Sequence, residues 1–138
     1  METSAAISFE VHVDLPFDEA IERLTSALKD EKFGILTRID VHKTLKEKLD
    51  KDFRQYAILG ACNPPLAHRA LEHEAQTGLM LPCNITVEAG PEGGSIIRIL
   101  DPDAMLRGFG LEEDPVLQEV GAEARKRLQR VAESLQTK

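Results

Sequence analysis

Tryptophan is absent from this chain and tyrosine occurs once, so its core must be aliphatic, built from Leu, Ile, Val and Ala. Cysteine occurs only twice. That is too few for the disulfide framework of a small secreted domain, and both thiols are expected to be free. No apolar run approaches the ~20 residues that span a bilayer, and no basic stretch leads into an apolar segment with a small-residue cleavage site. The cytoplasm is the expected location. Basic residues are also short, 17 Lys and Arg against 24 Asp and Glu for a net charge of −7. This argues against a nucleic-acid backbone or an anionic membrane as partner. The one basic cluster, Arg125-Lys126-Arg127 with Arg130, falls late in a helical pattern, where cations complement the helix dipole. No Ser-His-Asp, H-E-x-x-H or P-loop pattern is present. His12, His42, His68 and His73 with the two cysteines match no zinc spacing, so neither metal nor cofactor is expected.

What is present is a clear succession of elements within one domain, residues 1–138. Ile7, Phe9, Val11 and Val13 alternate with polar residues and predict a half-buried strand. After Pro16, the residues Ala20, Ile21, Leu24, Ala27 and Leu28 recur at helical spacing up to Gly34. A second strand is expected over 35–41, with Ile35, Thr37, Ile39 and Val41 sharing a face, followed by a short exposed helix over 42–50. Residues 56–61 are apolar on both faces and predict a strand near the middle of the sheet. Asn63 and two prolines then open a helix expected to run from Pro64 to about Gln76 and to bury Leu66, Ala67, Ala70 and Leu71. A strand over 79–88 and another over 95–100 are joined by the glycine-rich turn 89–94. Asp101-Pro102 ends the pair, with a short helical turn around Met105. Asp114 and Pro115 open a long helix whose stripe is Leu117, Val120, Ala124, Leu128, Val131 and Leu135. The expected class is α+β, a largely antiparallel sheet of about five strands with helices on one face.

The phrases YAILGACNP, GACNPPLAHRAL, LMLPCNITVE and GILTRIDVHKTLKEKL, with the Asp101-Pro102 pair, resemble the domain-of-unknown-function 302 family over nearly the whole chain. That resemblance implies a β-α-β4-α layout similar to the TATA-binding-protein-like fold, with extra short helices, and a homodimer. It implies no established reaction or ligand.

The two cysteine phrases, Cys62-Asn63-Pro64 and Pro82-Cys83-Asn84, are the candidate site. Each lies where a strand meets a turn. If their strands are antiparallel neighbours, both phrases share one end of the sheet. Cys62 precedes a helix whose first N–H groups lack helical partners, which predicts a lowered thiol pKa and allows Cys83 to act as its resolving partner. The competing reading is structural: the thiols as small hydrophobes, Asn63 as a cap and Asn84 as a turn residue. A third reading is a non-catalytic ligand-binding or protein-interaction module. It would use an apolar cleft between the long helix and the sheet, with Asn63, Asn84 and the helix start offering donors. No catalytic constellation is complete, and the binding module is the favoured expectation, with thiol redox or transfer chemistry at Cys62 the alternative.

Overall fold

Alternating apolar residues keep one face of the four central strands out of water, and the resulting sheet is antiparallel throughout. The computed structural model describes residues 2–4 and 7–137. The strands are β1 (Glu2–Ser4), β2 (Ser8–Val13), β3 (Gly34–Asp40), β4 (Tyr56–Cys62), β5 (Cys83–Ala89) and β6 (Ser95–Leu100). They form one sheet in the order β1-β2-β6-β5-β4-β3. The helices are α1 (Phe17–Asp30), α2 (Val41–Leu49), α3 (Pro64–His73), α4 (Pro102–Gly108) and α5 (Pro115–Thr137), with a 3-10 helix over Ala75–Met80. With α2, α3 and α4 taken as insertions, β2 to α5 follow the expected β-α-β4-α order. The short edge strand β1 is an addition to it.

Register makes the core. Val11, Ile97, Val87 and Ala57 are successive cross-strand partners over four strands, and Phe9, Ile99, Ile85 and Leu59 form the next row. All eight are buried. Because side chains alternate with period two, a slip of one residue would turn both rows into solvent. Leu24 and Leu28 of α1 and Leu128, Val131 and Leu135 of α5 cover the rows, which confirms both helical stripes.

The other face is polar and tied by charge. Arg98 Nε donates to Glu10 Oε1 at 2.9 Å, and its Nη1 donates to Glu88. Arg54 donates to the other oxygen of Glu88. Glu88 is only 5 % exposed, so these guanidinium groups supply the donors its carboxylate would otherwise take from water.

Four expectations need correction. The single face assigned to Ile35, Thr37 and Ile39 is split, because the β3–β4 register shifts between Ile35 and Thr37. The extra residue, Leu36, makes a bulge: Ile35 packs on the core while Thr37 and Ile39 lie with Gly60 and Ile58 on the other face. Helix α3 stops at His73 rather than Gln76. Glu74 adopts an extended backbone there, and its side chain caps the 3-10 helix by accepting from Gln76 N. Residues 79–82 are consequently not strand, β5 begins at Cys83, and Leu71 is 41 % exposed rather than buried.

Candidate functional site

The sheet brings the two cysteine phrases to one end, as their order along the chain allows. Gly60 pairs with Asn84 and Ala61 with Cys83, so the first phrase leaves β4 where the second enters β5. The register offsets the thiols by one residue without parting them. Cys62 is one residue past the partner of Cys83, yet both line the same cavity. Both cysteines are free thiols and partly buried.

Their chemistry runs opposite to the expectation for Cys62. Burial pushes the Cys62 thiol up. Burial, with a smaller contribution from the neighbouring Cys62, pushes Cys83 up to about 11. The helix start offers no compensation, and the reason lies in its residues. Pro64 and Pro65 have no N–H to give. Leu66 N donates to Asn63 Oδ1 at 3.2 Å, and Ala67 N donates to Asn63 O at 2.9 Å. Every N–H of the first turn is missing or taken, so α3 stabilises no thiolate and cradles no anion.

Above this end of the sheet lies a cavity of about 60 Å³. Ala61, Cys62 and Cys83 form its floor, and Leu66 and Ala70 of α3 form one wall. Thr77 and Met80 of the 3-10 helix, Met105 and Leu106 of α4, and Leu117, Val120 and Gly121 of α5 complete it. No charged side chain lines it. Gly121 lets α4 lean on α5, since a Cβ there would stand 2.8 Å from Leu106 Cδ1. Thr77, 1 % exposed, satisfies its hydroxyl by donating to Glu74 O at 2.8 Å. The cleft expected between the long helix and the sheet is therefore here, at one end of the sheet. Its walls from α4 and the 3-10 helix carry no sequence motif. Among the described residues, every cysteine and methionine lines this cavity.

Two exposed contacts join α3 to α5 beside it. Arg69 pairs with Glu119, and His73 Nε2 lies 2.9 Å from Asp114 Oδ2. The hydrogen bond from His73, then that from Leu117 N, lowers the pKa of Asp114. Asp114 thus caps α5, as its position predicts, through bonds from Val116 N and Leu117 N.

The six candidate residues divide. Cys62, Asn63 and Cys83 line the cavity. Pro82 and Asn84 line a groove on the opposite sheet face with Thr37, Ile39, Ile58 and Leu79, while Pro64 lines neither. His68 is exposed with Nε2 3.9 Å from Glu72, and does not serve Cys62. Among the described residues no three His, Cys, Asp or Glu side chains come together as a metal set. The basic cluster of α5 is already engaged: Arg125 pairs with Asp101 and Arg130 with Glu31 across elements, while Arg127 pairs with Glu123 within α5 and donates to Glu31 O.

Comparison with known proteins agrees with this architecture. No curated protein is significantly similar to the chain. A solved structure described as an uncharacterized conserved protein DUF302 from Bacillus stearothermophilus is 34 % identical, with a TM-score of 0.80, covering 92 % of this chain and 96 % of its own. The family described as "Domain of unknown function DUF302" matches residues 9–135, from the first core strand into the last turns of α5. A match of that length, on the same fold, makes this chain a member of the DUF302 family.

Proposed function

We propose that this chain is a non-catalytic binding module whose site is the cavity above Ala61, Cys62 and Cys83. The observation that carries the reading is a cavity of about 60 Å³ whose lining includes the buried Asn63 but no charged side chain. Apolar walls with few polar groups are the usual composition of small-molecule sites. The volume is below the ~150 Å³ of an engineered cavity that takes benzene. It therefore suits a group of a few heavy atoms, with the remainder of any larger ligand in the mouth. Xenon tests this directly. Under pressure it should shift the methyl resonances of Leu66, Leu117, Met80 and Met105, and Ala70→Leu should abolish the shifts. Unchanged methyl spectra in the wild type would remove the proposal.

Self-association is the second part of the reading. The groove on the uncovered sheet face is lined by Leu79 and Ile39, which are 82 % and 51 % exposed, with Ile58 and Pro82 and the polar Thr37, Arg38 and Asn84. Exposed apolar side chains beside polar ones suit contact with the same surface of a second copy about a two-fold axis. Sedimentation should give a dimer that Leu79→Glu and Ile39→Glu convert to monomer; a monomeric wild type at 100 µM (roughly the upper limit for a specific dimer) would sink it. Free thiols fit a reducing cytoplasm. Among the described residues no helix is long and apolar enough to cross a membrane. Thiol transfer through Cys62 has no comparable support, since both thiol pKa values are raised.

A further inference from the structure

One edge of the sheet is open. β3 is the last strand in the order, and among the described residues β4 is its one strand partner. The opposite edge is formed by β1, a strand of three residues, whereas β3 has seven and buries none of them. Such an edge presents a row of backbone N–H and C=O groups that another strand can pair with. Three features of β3 restrict what that strand can be. The bulge at Leu36 leaves residues 37–40 as its regular stretch. Within this stretch Arg38 and Asp40 pair with Leu59 and Ala57 on the helix-covered face, while Thr37 and Ile39 pair with Gly60 and Ile58 on the open face. Arg38 and Asp40 are also the only charged residues of the strand.

These features select a register for a second copy of the same strand. Residues opposite each other in an antiparallel pair share a face. A two-fold axis between two residues would break that rule. An axis on Thr37 would break it too, by setting Ile39 against Ile35 across the bulge. An axis on Arg38 or on Asp40 would oppose like charges. An axis on Ile39 sets Arg38 against the partner's Asp40 at two symmetric places, and Ile39 against its own copy on the open face. We propose that β3 pairs antiparallel with β3 of a second copy, with Ile39 on the two-fold axis, so that one sheet runs through the dimer. The pairing rests on the self-association argued above and adjoins its groove, because Ile39, 51 % exposed, belongs to both. Arg38 Nε already donates to Asp40 Oδ1 at 3.0 Å within the strand, so the dimer would gather two such pairs into one cluster of alternating sign. Bulges and charges usually guard a free edge. Here they exclude the other registers and leave this one.

The test exchanges charge between chains. Arg38→Asp alone, or Asp40→Arg alone, makes both cross-strand pairs like-charged. Each variant should raise the dimer dissociation constant about tenfold in sedimentation. Mixed in equal amounts, the two variants bring opposite signs together at both places and should form a heterodimer about as tight as the wild-type dimer. A role confined to the Arg38–Asp40 contact within one chain predicts no recovery, because mixing leaves each chain's own contact broken. If either variant fails to fold, amide exchange of the wild type decides. The edge-facing N–H groups of residues 37–40 should be protected in the dimer and exchange freely on dilution. A dimer without recovery in the mixture, or with those amides unprotected, overturns the β3 pairing and leaves the groove contact standing. A monomeric wild type removes both.

Discussion

Cys83 stands opposite Ala61 in the β4–β5 ladder, which places Cys62 one residue out of register with it. The two thiols share one end of the sheet and line one cavity, near enough for Cys62 to act on Cys83, but both are free and burial holds both in the protonated, unreactive form. Mild peroxide should therefore leave the mass of the folded monomer without the two-hydrogen loss of a disulfide. At neutral pH, alkylation should be slow at both thiols and slowest at Cys83. A pKa of about 11 against the ordinary 9.0 lowers its thiolate fraction roughly 100-fold. Rapid labelling of Cys62, or intramolecular disulfide formation, would reverse this conclusion and restore thiol chemistry.

The same burial makes stability depend on alkaline pH. The folded pKa of Cys83 lies above its unfolded value, so its neutral form is favoured in the native state. The contribution is complete below about pH 9 and is lost as pH rises toward 11. Two units correspond to ~3 kcal/mol at most, less what partial exposure of Cys83 screens away. Urea unfolding from pH 8 to 11 should show the wild type losing stability across that window and Cys83→Ala losing distinctly less. Parallel profiles would show that Cys83 is not the titrating group.

Acid stability should depend on Glu88. Burial alone would raise its pKa, but the hydrogen bonds from Arg98 and Arg54 outweigh burial and the net shift is downward. A carboxyl group lowered in the folded state contributes above its unfolded pKa, near the ordinary 4.5, and the contribution disappears as pH falls through the folded value. Glu88→Gln should cost about 1–3 kcal/mol at pH 7 and flatten the loss of stability below pH 4.5. A steep acid limb identical to that of the wild type would place the acid-sensitive group elsewhere, with Glu10 the next candidate.

Most of the architecture could be read from periodicity, because burial imposes it. The stripe from Leu117 to Leu135 and the alternation at Phe9, Val11 and Val13 each report a face that α5 or β2 must hide. Periodicity was silent at Leu36, where one extra residue reverses the faces of β3, since a bulge leaves the composition unchanged. It also overran α3, where the apolar spacing continued past the Glu74 backbone break. The chemistry of Cys62 could have been read correctly from residues already visible: two prolines directly after Asn63 remove the N–H groups that a thiolate at a helix start needs. The cavity was only partly legible. Met80, Met105 and Gly121 meet there through the packing of α4 and the 3-10 helix, and no local pattern announces contacts between segments so far apart.

Gly60 tests how tightly the two sheet faces are joined at this end. It lies in β4 between the paired strands β3 and β5, opposite Thr37 on one side and Asn84 on the other. A Cβ at Gly60 would stand 2.3 Å from Thr37 Oγ1 and 2.5 Å from Pro82 Cγ. Thr37 can rotate away. The Pro82 ring cannot, so the backbone entering β5 must shift, carrying Cys83 and Asn84 with it. Gly60→Ala should cost about 1–3 kcal/mol, the usual range for overpacking. Adding Thr37→Ala should recover only part of that, because the clash with Pro82 remains. Since Cys83 lines the cavity and Asn84 the groove, the variant should also weaken xenon binding and self-association together. A Gly60→Ala protein within 0.5 kcal/mol of the wild type (about the scatter expected of an unstrained surface change) would show that Pro82 yields without moving the strand.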